Sequence, residues 1–300
     1  MDGIINIYKE PGFTSHDVVA KLRGILHQKK IGHTGTLDPD ASGVLPVCCG
    51  KATKVCGLLS DRDKTYHAVC QLGIETDTQD ISGKILRKCD IKEITEAGIT
   101  GCVEKFKGSI MQVPPMYSAL KVNGKKLYEL AREGKTIERK PRQVNILSIE
   151  VSGINLDNGT FAMDVTCSKG TYIRTLCHDI GISLGTAAAM ASLVRTRVSV
   201  FKIEDAITLG EVQYMADNNP EKLREYFMAV DALFPGYKKV QIKSSFSSCL
   251  SNGNKLSGNM FYSEAPEPAD GENVLVYNEN GVFKAIYKRE AGEYKVNKMF

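Results

Sequence analysis

Residues 3–9, GIINIYK, read as a buried strand, and Pro11-Gly12 closes the run as a turn. The period then changes. Val18, Leu22, Ile25 and Leu26 fall on one face of a helix, with Ser15 as the expected N-cap. Lys29 and Lys30 follow where a helix dipole favours cations. TYHAVCQLGI (65–74) predicts another strand. Over 95–107, Ile99, Cys102, Val103 and Phe106 recur at helical spacing, weakened by Gly98 and Gly101 and ended by Gly108. Strands are predicted at 144–154 and 161–170, then a helix from near Thr171 to Gly185. Pro220 opens a short helix expected to reach about Leu233. From residue 240 the texture turns to Ser, Asn and Gly. EAPEPADGEN (264–273) predicts a loop, and VLVYNENGVFKAIYK (274–288) a hairpin turning at Asn280-Gly281. Strands and helices alternate irregularly, which predicts an α+β fold with a mixed β-sheet over residues 1–235 and a small C-terminal β module over 236–300.

Composition changes this picture little. The chain has 300 residues, 42% apolar and 25% charged, with a formal net charge of +4. Its nine cysteines contain no Cys-x-x-Cys pair, and its five histidines show no zinc spacing, so no metal is expected. Neither a secretory signal nor an apolar run of membrane-spanning length is present, and the expectation is a cytoplasmic protein with reduced cysteines.

Charge becomes informative when localised. Residues 121–142 carry eight Lys or Arg against three Glu, a net +5, so the remainder of the chain sums to −1. Most charge runs are solvated helix faces. This one has a single dominant sign and is broken by Gly124, Gly134 and Pro141, as in a protruding element that grips phosphates.

The densest polar chemistry lies in IGHTGTLDPDASGVLPV (31–47). Pro39 pushes Asp38 towards an extended conformation, and glycines at 32, 35 and 43 permit tight turns on both sides. A rigid loop of this kind presents a carboxylate; an isolated Asp-Pro would simply start a turn. In CSKGTYIRTLCHDIG (167–181), Gly170 ends a strand and Arg174 falls at a helix start, where the dipole disfavours a cation unless a carboxylate is near. Tyr66 and Tyr172 read, on pattern alone, as core aromatics, and Leu193 in ASLVRTRV as core.

GHTGTLDPDASGVLPV, DKTYHAVCQLGIETDTQDISG (63–83), PPMYSALKVNGKKLYELAREG (114–134) and CSKGTYIRTLCHDIG, preceded by GIINIYKEPGFTSHDVV, together resemble the bacterial tRNA pseudouridine-55 synthases. The motifs occur in order over about residues 3–200, and the resemblance fades after about residue 235, where that family often carries a PUA-like domain. The resemblance implies a cofactor-free isomerisation of uridine 55 in the T loop of tRNA. Asp38 is then the nucleophile, Arg174 its paired cation, and Tyr66 packs on the base and assists loss of the C5 proton. It further implies that His33 supports the RNA around a flipped base, that Tyr172 contacts the substrate, that Leu193 lines the uracil pocket, and that Lys9 is structural or near phosphate. Residues 121–143 become an RNA-gripping insertion, with Lys125, Lys126, Arg139 and Lys140 as phosphate contacts. The guanidinium is expected to favour the charged form of Asp38 by ~1–3 pKa units. The implied partner is the T-arm stem-loop of tRNA, with a monomeric protein, no guide RNA and no membrane. Two alternatives are an RNA-folding protein with a non-catalytic main role and a synthase working within a guide-RNA complex. Joint retention of Asp38, Tyr66 and Arg174 argues against the first, and the basic insertion against the second.

Overall fold

A computed structural model describes residues 1–122, 124–262 and 268–300. Ten strands form one mixed sheet. Its main path runs Phe227–Met228, Gly3–Lys9, Ser42–Cys49, Ala188–Val198, Lys64–Leu72, Thr160–Cys167, Arg142–Asn155, Gly108–Gln112. Ile31–His33 pairs with Ser42–Cys49, and Phe201–Lys202 with Ala188–Val198. All strand pairings in it are antiparallel except the central one, where Val194 meets Ser42 and Arg195 meets Gly43 in parallel. Two antiparallel halves are thus joined at a seam immediately after the Asp38 loop.

Gly43 makes the seam possible. Its φ is +104°, and a Cβ there would lie 2.2 Å from the Arg195 carbonyl oxygen. Only glycine accepts both the left-handed backbone and that approach.

Lys64–Leu72 alternates as a strand with one buried face should, hiding Lys64, Tyr66, Ala68, Cys70 and Leu72. Phe161, Met163 and Val165 of the neighbouring strand join this core. The helix Ile173–Ser183 covers it with Ile173, Leu176, Cys177 and Ile180. Glu96–Glu104 is helical and buries the expected Ile99, Cys102 and Val103. On the other half, Val18, Val19 and Leu22 of the helix Ser15–Ile25 pack on Ile5, Ile7, Leu45 and Val47.

Several expectations need correction. Thr14, not Ser15, caps the first helix: its hydroxyl accepts from the Asp17 N–H, while the Asp17 carboxylate accepts from the Thr14 N–H. Lys29 and Lys30 lie beyond the helix, whose last turn carries Arg23. The Pro220 helix stops at Glu225, because Phe227–Met228 leaves it to pair with Ile4 and Ile5 at the sheet edge. The central strand Ala188–Val198 was not anticipated as a strand.

The C-terminal module is a four-stranded sheet, Lys238–Gln241, Asn273–Tyr277, Phe283–Glu290 and Glu293–Met299. The expected hairpin is its middle pair, with Tyr277 opposite Phe283 and Gly281 at φ +71° in the turn. Residues 264–267 of the expected loop lie outside the described residues. Leu275 and Ile286 share a core cluster with Val44, Cys48 and Val198 of the main sheet and with Ala52 of the short helical turn Gly50–Val55, so the module shares a core with it. Among the described residues no helix is long and apolar enough to cross a membrane.

Candidate active site

The loop between Ile31–His33 and Ser42–Cys49 is held from below. Lys9 is fully buried, and its ammonium donates to the carbonyls of Ala41 (2.5 Å), Pro39 (2.9 Å) and Glu10 (3.2 Å). Ser15 is buried too, and its Oγ accepts from the Leu37 N–H at 2.9 Å. The Gly12 N–H donates to the Pro39 carbonyl, and the Ala41 N–H to the Asp38 carbonyl at 3.2 Å. Asp38–Ala41 is therefore a β-turn with Pro39 at the position where its fixed φ is favoured. The turn that an Asp-Pro pair starts is the device that presents the carboxylate.

Arg174, second residue of its helix and 5% exposed, enters the same cavity from the opposite side. Its Nε lies 2.9 Å from Asp38 Oδ2 and its Nη2 3.3 Å from Oδ1, a two-point pairing. Nη1 donates to the Thr78 carbonyl at 3.0 Å and Nη2 to the Tyr117 carbonyl at 2.8 Å. Asp80 Oδ2 stands 3.7 Å from Nη1. Asp80 is itself fixed, because its Oδ1 accepts from the Thr78 and Ser82 hydroxyls at 2.7 and 2.6 Å.

The Asp38 side chain keeps 41% of its surface exposed, on the cavity side. Burial raises its pKa above the ordinary value, and Asp80 and Asp40 add to the rise. Arg174 and Lys9 oppose it. Arg174 favours the charged form, as expected, but the guanidinium offsets desolvation without exceeding it. Burial likewise pushes Lys9 and Lys64 down to about 8.

The cavity, about 1030 Å³, is lined by Asp38, Tyr66, Asp80, Tyr172, Arg174 and Leu193, among others. Tyr66 and Leu193 lie on adjacent central strands, and both are nearly buried. Tyr172 is held through its main chain: the Gln112 side chain accepts from its N–H at 2.8 Å and donates to its carbonyl at 3.0 Å. Burial raises the pKa values of Tyr66 and Tyr172. A volume of this size with carboxylates, phenols and an apolar wall admits a flat, polar-edged ring.

Residues 121–142 flank the cavity. Lys121–Val122 pairs with Lys125–Lys126, and the helix Leu127–Arg132 follows. Met116, Leu127 and Leu130 give the element its own small core. Lys126 reaches the cavity wall with Tyr128 and Arg132, both cations lying over the Tyr128 ring at 5.3 and 5.4 Å. Lys125, Arg139 and Lys140 do not line it. Lys125 is exposed and pairs with Glu133 at 3.4 Å, Arg139 turns back to the Pro114 carbonyl at 3.2 Å, and Lys140 is exposed.

Of the two roles expected for Lys9, the structural one fits: it reaches three carbonyls, holds the loop and does not line the cavity. His33 stands one layer behind the wall, edge-on to His16 with ring centroids 5.2 Å apart, and His16 lines the cavity. Burial first, then His16 and Arg195, lower the His33 pKa and disfavour its charged form. The residues that sequence reasoning missed are Asp80, Gln112, His16, Arg132, Lys64 and Arg195. For Lys64 and Arg195 a signal existed. Each is a cation in phase with the buried positions of its strand, Lys64 with Tyr66 and Arg195 with Leu193. Among the described residues no three His, Cys, Asp or Glu side chains converge as metal ligands would.

The fold of the chain recurs in solved structures. A structure described as an H/ACA RNP bound to a substrate RNA containing 2'-deoxyuridine shares the fold with a TM-score of 0.73, at 28% identity, covering 99% of this chain and 84% of that one. A Cbf5-Nop10-Gar1 complex gives a TM-score of 0.72 at 30% identity, with the same coverage. Residues 23–173 match the TruB family pseudouridylate synthase (N terminal domain), and residues 174–234 the tRNA pseudouridylate synthase B C-terminal domain. The chain belongs to the TruB family of pseudouridylate synthases. It is 49% identical to tRNA pseudouridine synthase B of Lachnoclostridium phytofermentans over 100% of both chains. With the protein of the same name from Clostridium perfringens it shares 44% over 100% of this chain and 99% of that one.

Proposed function

We propose that the protein isomerises uridine to pseudouridine in tRNA, at position 55 of the T loop, as a single chain without guide RNA. The observation that carries this reading is the two-point Arg174–Asp38 pair in a cavity with ample room for a flipped nucleotide. Asp38, ionised with help from Arg174, bonds to the ribose C1′ or to the base. The N1–C1′ bond breaks, the uracil turns while held by Tyr66, Tyr172 and Leu193, and C5 joins C1′. Tyr66 assists departure of the C5 proton, and N1 gains a proton in exchange, so all atoms are conserved.

A target inside folded RNA must leave its stack before this chemistry. The insertion with its own apolar core and its cavity-facing Lys126 and Arg132 supports direct capture of an RNA stem-loop. RNA is commonly read by shape and by splayed loop bases, and a folded loop reduces the ordering that binding must pay for. The C-terminal sheet, which packs on the main core, is read as a PUA-like module that adds to RNA contact.

The test compares tritium release from 5-tritiated uridine in intact tRNA, a T-arm stem-loop and a linear oligonucleotide of the same sequence. The reading requires similar rates on the first two, a much lower rate on the third, and modification at uridine 55. Modification at another uridine, or equal rates on the linear oligomer, contradicts it.

A further inference from the structure

Arg195 is fully buried at the seam of the sheet, yet no carboxylate among the described residues pairs with it. Its Nε donates to the Val44 carbonyl at 2.7 Å and its Nη2 to the Gly35 carbonyl at 3.2 Å. These oxygens lie on either side of Asp38, one in each limb of the loop. Nη1, sealed from solvent, has no hydrogen-bond partner among the described residues. An unneutralised cation in a protein core is costly.

The groups around Arg195 do not neutralise it. Lys9, Lys64 and His33 are all close enough to feel its charge, and each is made harder to protonate by it. Lys64 is already satisfied by the Ser60 and Arg62 carbonyls at 2.8 and 2.6 Å. One acidic group faces the guanidinium. Arg195 and Tyr66 are direct cross-strand partners, so their side chains leave the same face of the sheet side by side. Tyr66 is faced in turn by Arg195, by Cys167 across the next strand and by Asp38 from the loop.

We propose that Arg195 is a positioning residue for the isomerisation: it holds both limbs of the Asp38 loop and supplies the counter-charge for Tyr66 as a phenolate. This rests on the reading above that Tyr66 handles the C5 proton. In that step the Tyr66 phenol has released its proton to water. The C5–H bond then breaks, and its proton passes to the phenolate oxygen. The C–H electron pair forms C5=C6, the C6=N1 pair moves to N1, and N1 takes a proton from water. Without Arg195, burial, helped by Cys167 and Asp38, holds the phenol above its ordinary pKa unopposed. With it, the phenolate population at a given pH rises: the guanidinium gains a counter-ion when the phenol ionises, before that phenolate takes the C5 proton.

Two measurements on the full chain test this. First, 3-fluorotyrosine placed at position 66 is titrated by fluorine NMR without RNA, in the native background and with Arg195→Met and Arg195→Lys. The titration should move up by about one pH unit or more in Arg195→Met and by less in Arg195→Lys. Arg195→Gln keeps N–H donors for the loop carbonyls and carries the same expectation if Arg195→Met does not fold. An unchanged titration in a folded neutral variant overturns the proposal.

Second, single-turnover rates are measured on a T-arm stem-loop with hydrogen or deuterium at C5 of the target uridine. The neutral variants should lose about tenfold in rate for every pH unit by which the Tyr66 titration rises, show a larger deuterium effect than the native protein, and recover both in Arg195→Lys. A uniform loss at all pH values with an unchanged deuterium effect would mean a purely structural arginine and also overturns the proposal. Tyr66→Phe separates the two layers. If it reacts at the native rate with no enlarged deuterium effect, the reading of Tyr66 fails, while the titration still decides whether Arg195 sets the phenol.

Discussion

Arg174 meets Asp38 edge to edge, with Nε 2.9 Å from one carboxylate oxygen and Nη2 3.3 Å from the other, and the same guanidinium holds the main chain at Thr78 and Tyr117. One buried side chain therefore both charges the candidate nucleophile and ties together the segments around it.

The pH dependence follows from the signs. Burial raises the Asp38 pKa and Arg174 opposes that rise. A nucleophilic carboxylate must be ionised, so activity falls as pH drops through the folded-state value. In Arg174→Met the opposing charge is gone, and the acid limb of kcat/KM should move to higher pH by about one unit or more. A pH series with a prefolded stem-loop measures it; an acid limb at the native position in a folded variant contradicts the pairing.

Lys9→Met should leave the sheet intact and loosen the loop. Three carbonyls are deprived of their shared donor, at a cost of about 1–3 kcal/mol for groups left unsatisfied. The expected signature is a lower kcat with little change in RNA affinity, and faster hydrogen exchange across residues 35–45. Unchanged exchange there, in a variant with reduced kcat, contradicts the clamp.

Gly43→Ala should be destabilising by about 3 kcal/mol or more, because its Cβ falls 2.2 Å from the Arg195 carbonyl at φ +104°. Gly24→Ala is the control. No atom lies within 4 Å of its added Cβ, and it sits exposed in the first helix, so a gain of about 0.5–1 kcal/mol is expected. Urea unfolding of both variants reads the contrast.

Much of this frame was legible from pattern. Strands with a steady period of two, such as Lys64–Leu72, and helices such as Glu96–Glu104 declare themselves by their buried positions. Ala188–Val198 does not, because its first half, AAMAS, has no β-branched residue and its second half interleaves Val194, Thr196 and Val198 with a buried and a half-buried arginine. The candidate site was legible through its motifs, down to Asp38 and Arg174. What could not be read was which backbone each cation holds. Lys9 reaching Ala41 and Arg195 reaching Gly35 are pairings across 32 and 160 positions of chain, set by the seam and not by local spacing.

The insertion should act through its cavity-facing cations. Neutralising Lys126 and Arg132 together should weaken stem-loop binding and reduce the log–log salt slope by roughly 0.7–0.9 for each phosphate that no longer meets a cation. Neutralising Lys125 and Lys140, which stand off the cavity, should cost less. Binding titrations at several salt concentrations compare the pairs, and a larger effect from the second pair contradicts the placement.

The central claim is that Asp38 is the nucleophile, and Asp38→Asn tests it most directly, since the swap preserves size and removes only the charge. The measurement is single-turnover tritium release from a 5-tritiated T-arm stem-loop, alongside binding of the same RNA. The account predicts native-like RNA binding with no detectable release. Substantial release by a folded Asp38→Asn protein would contradict it.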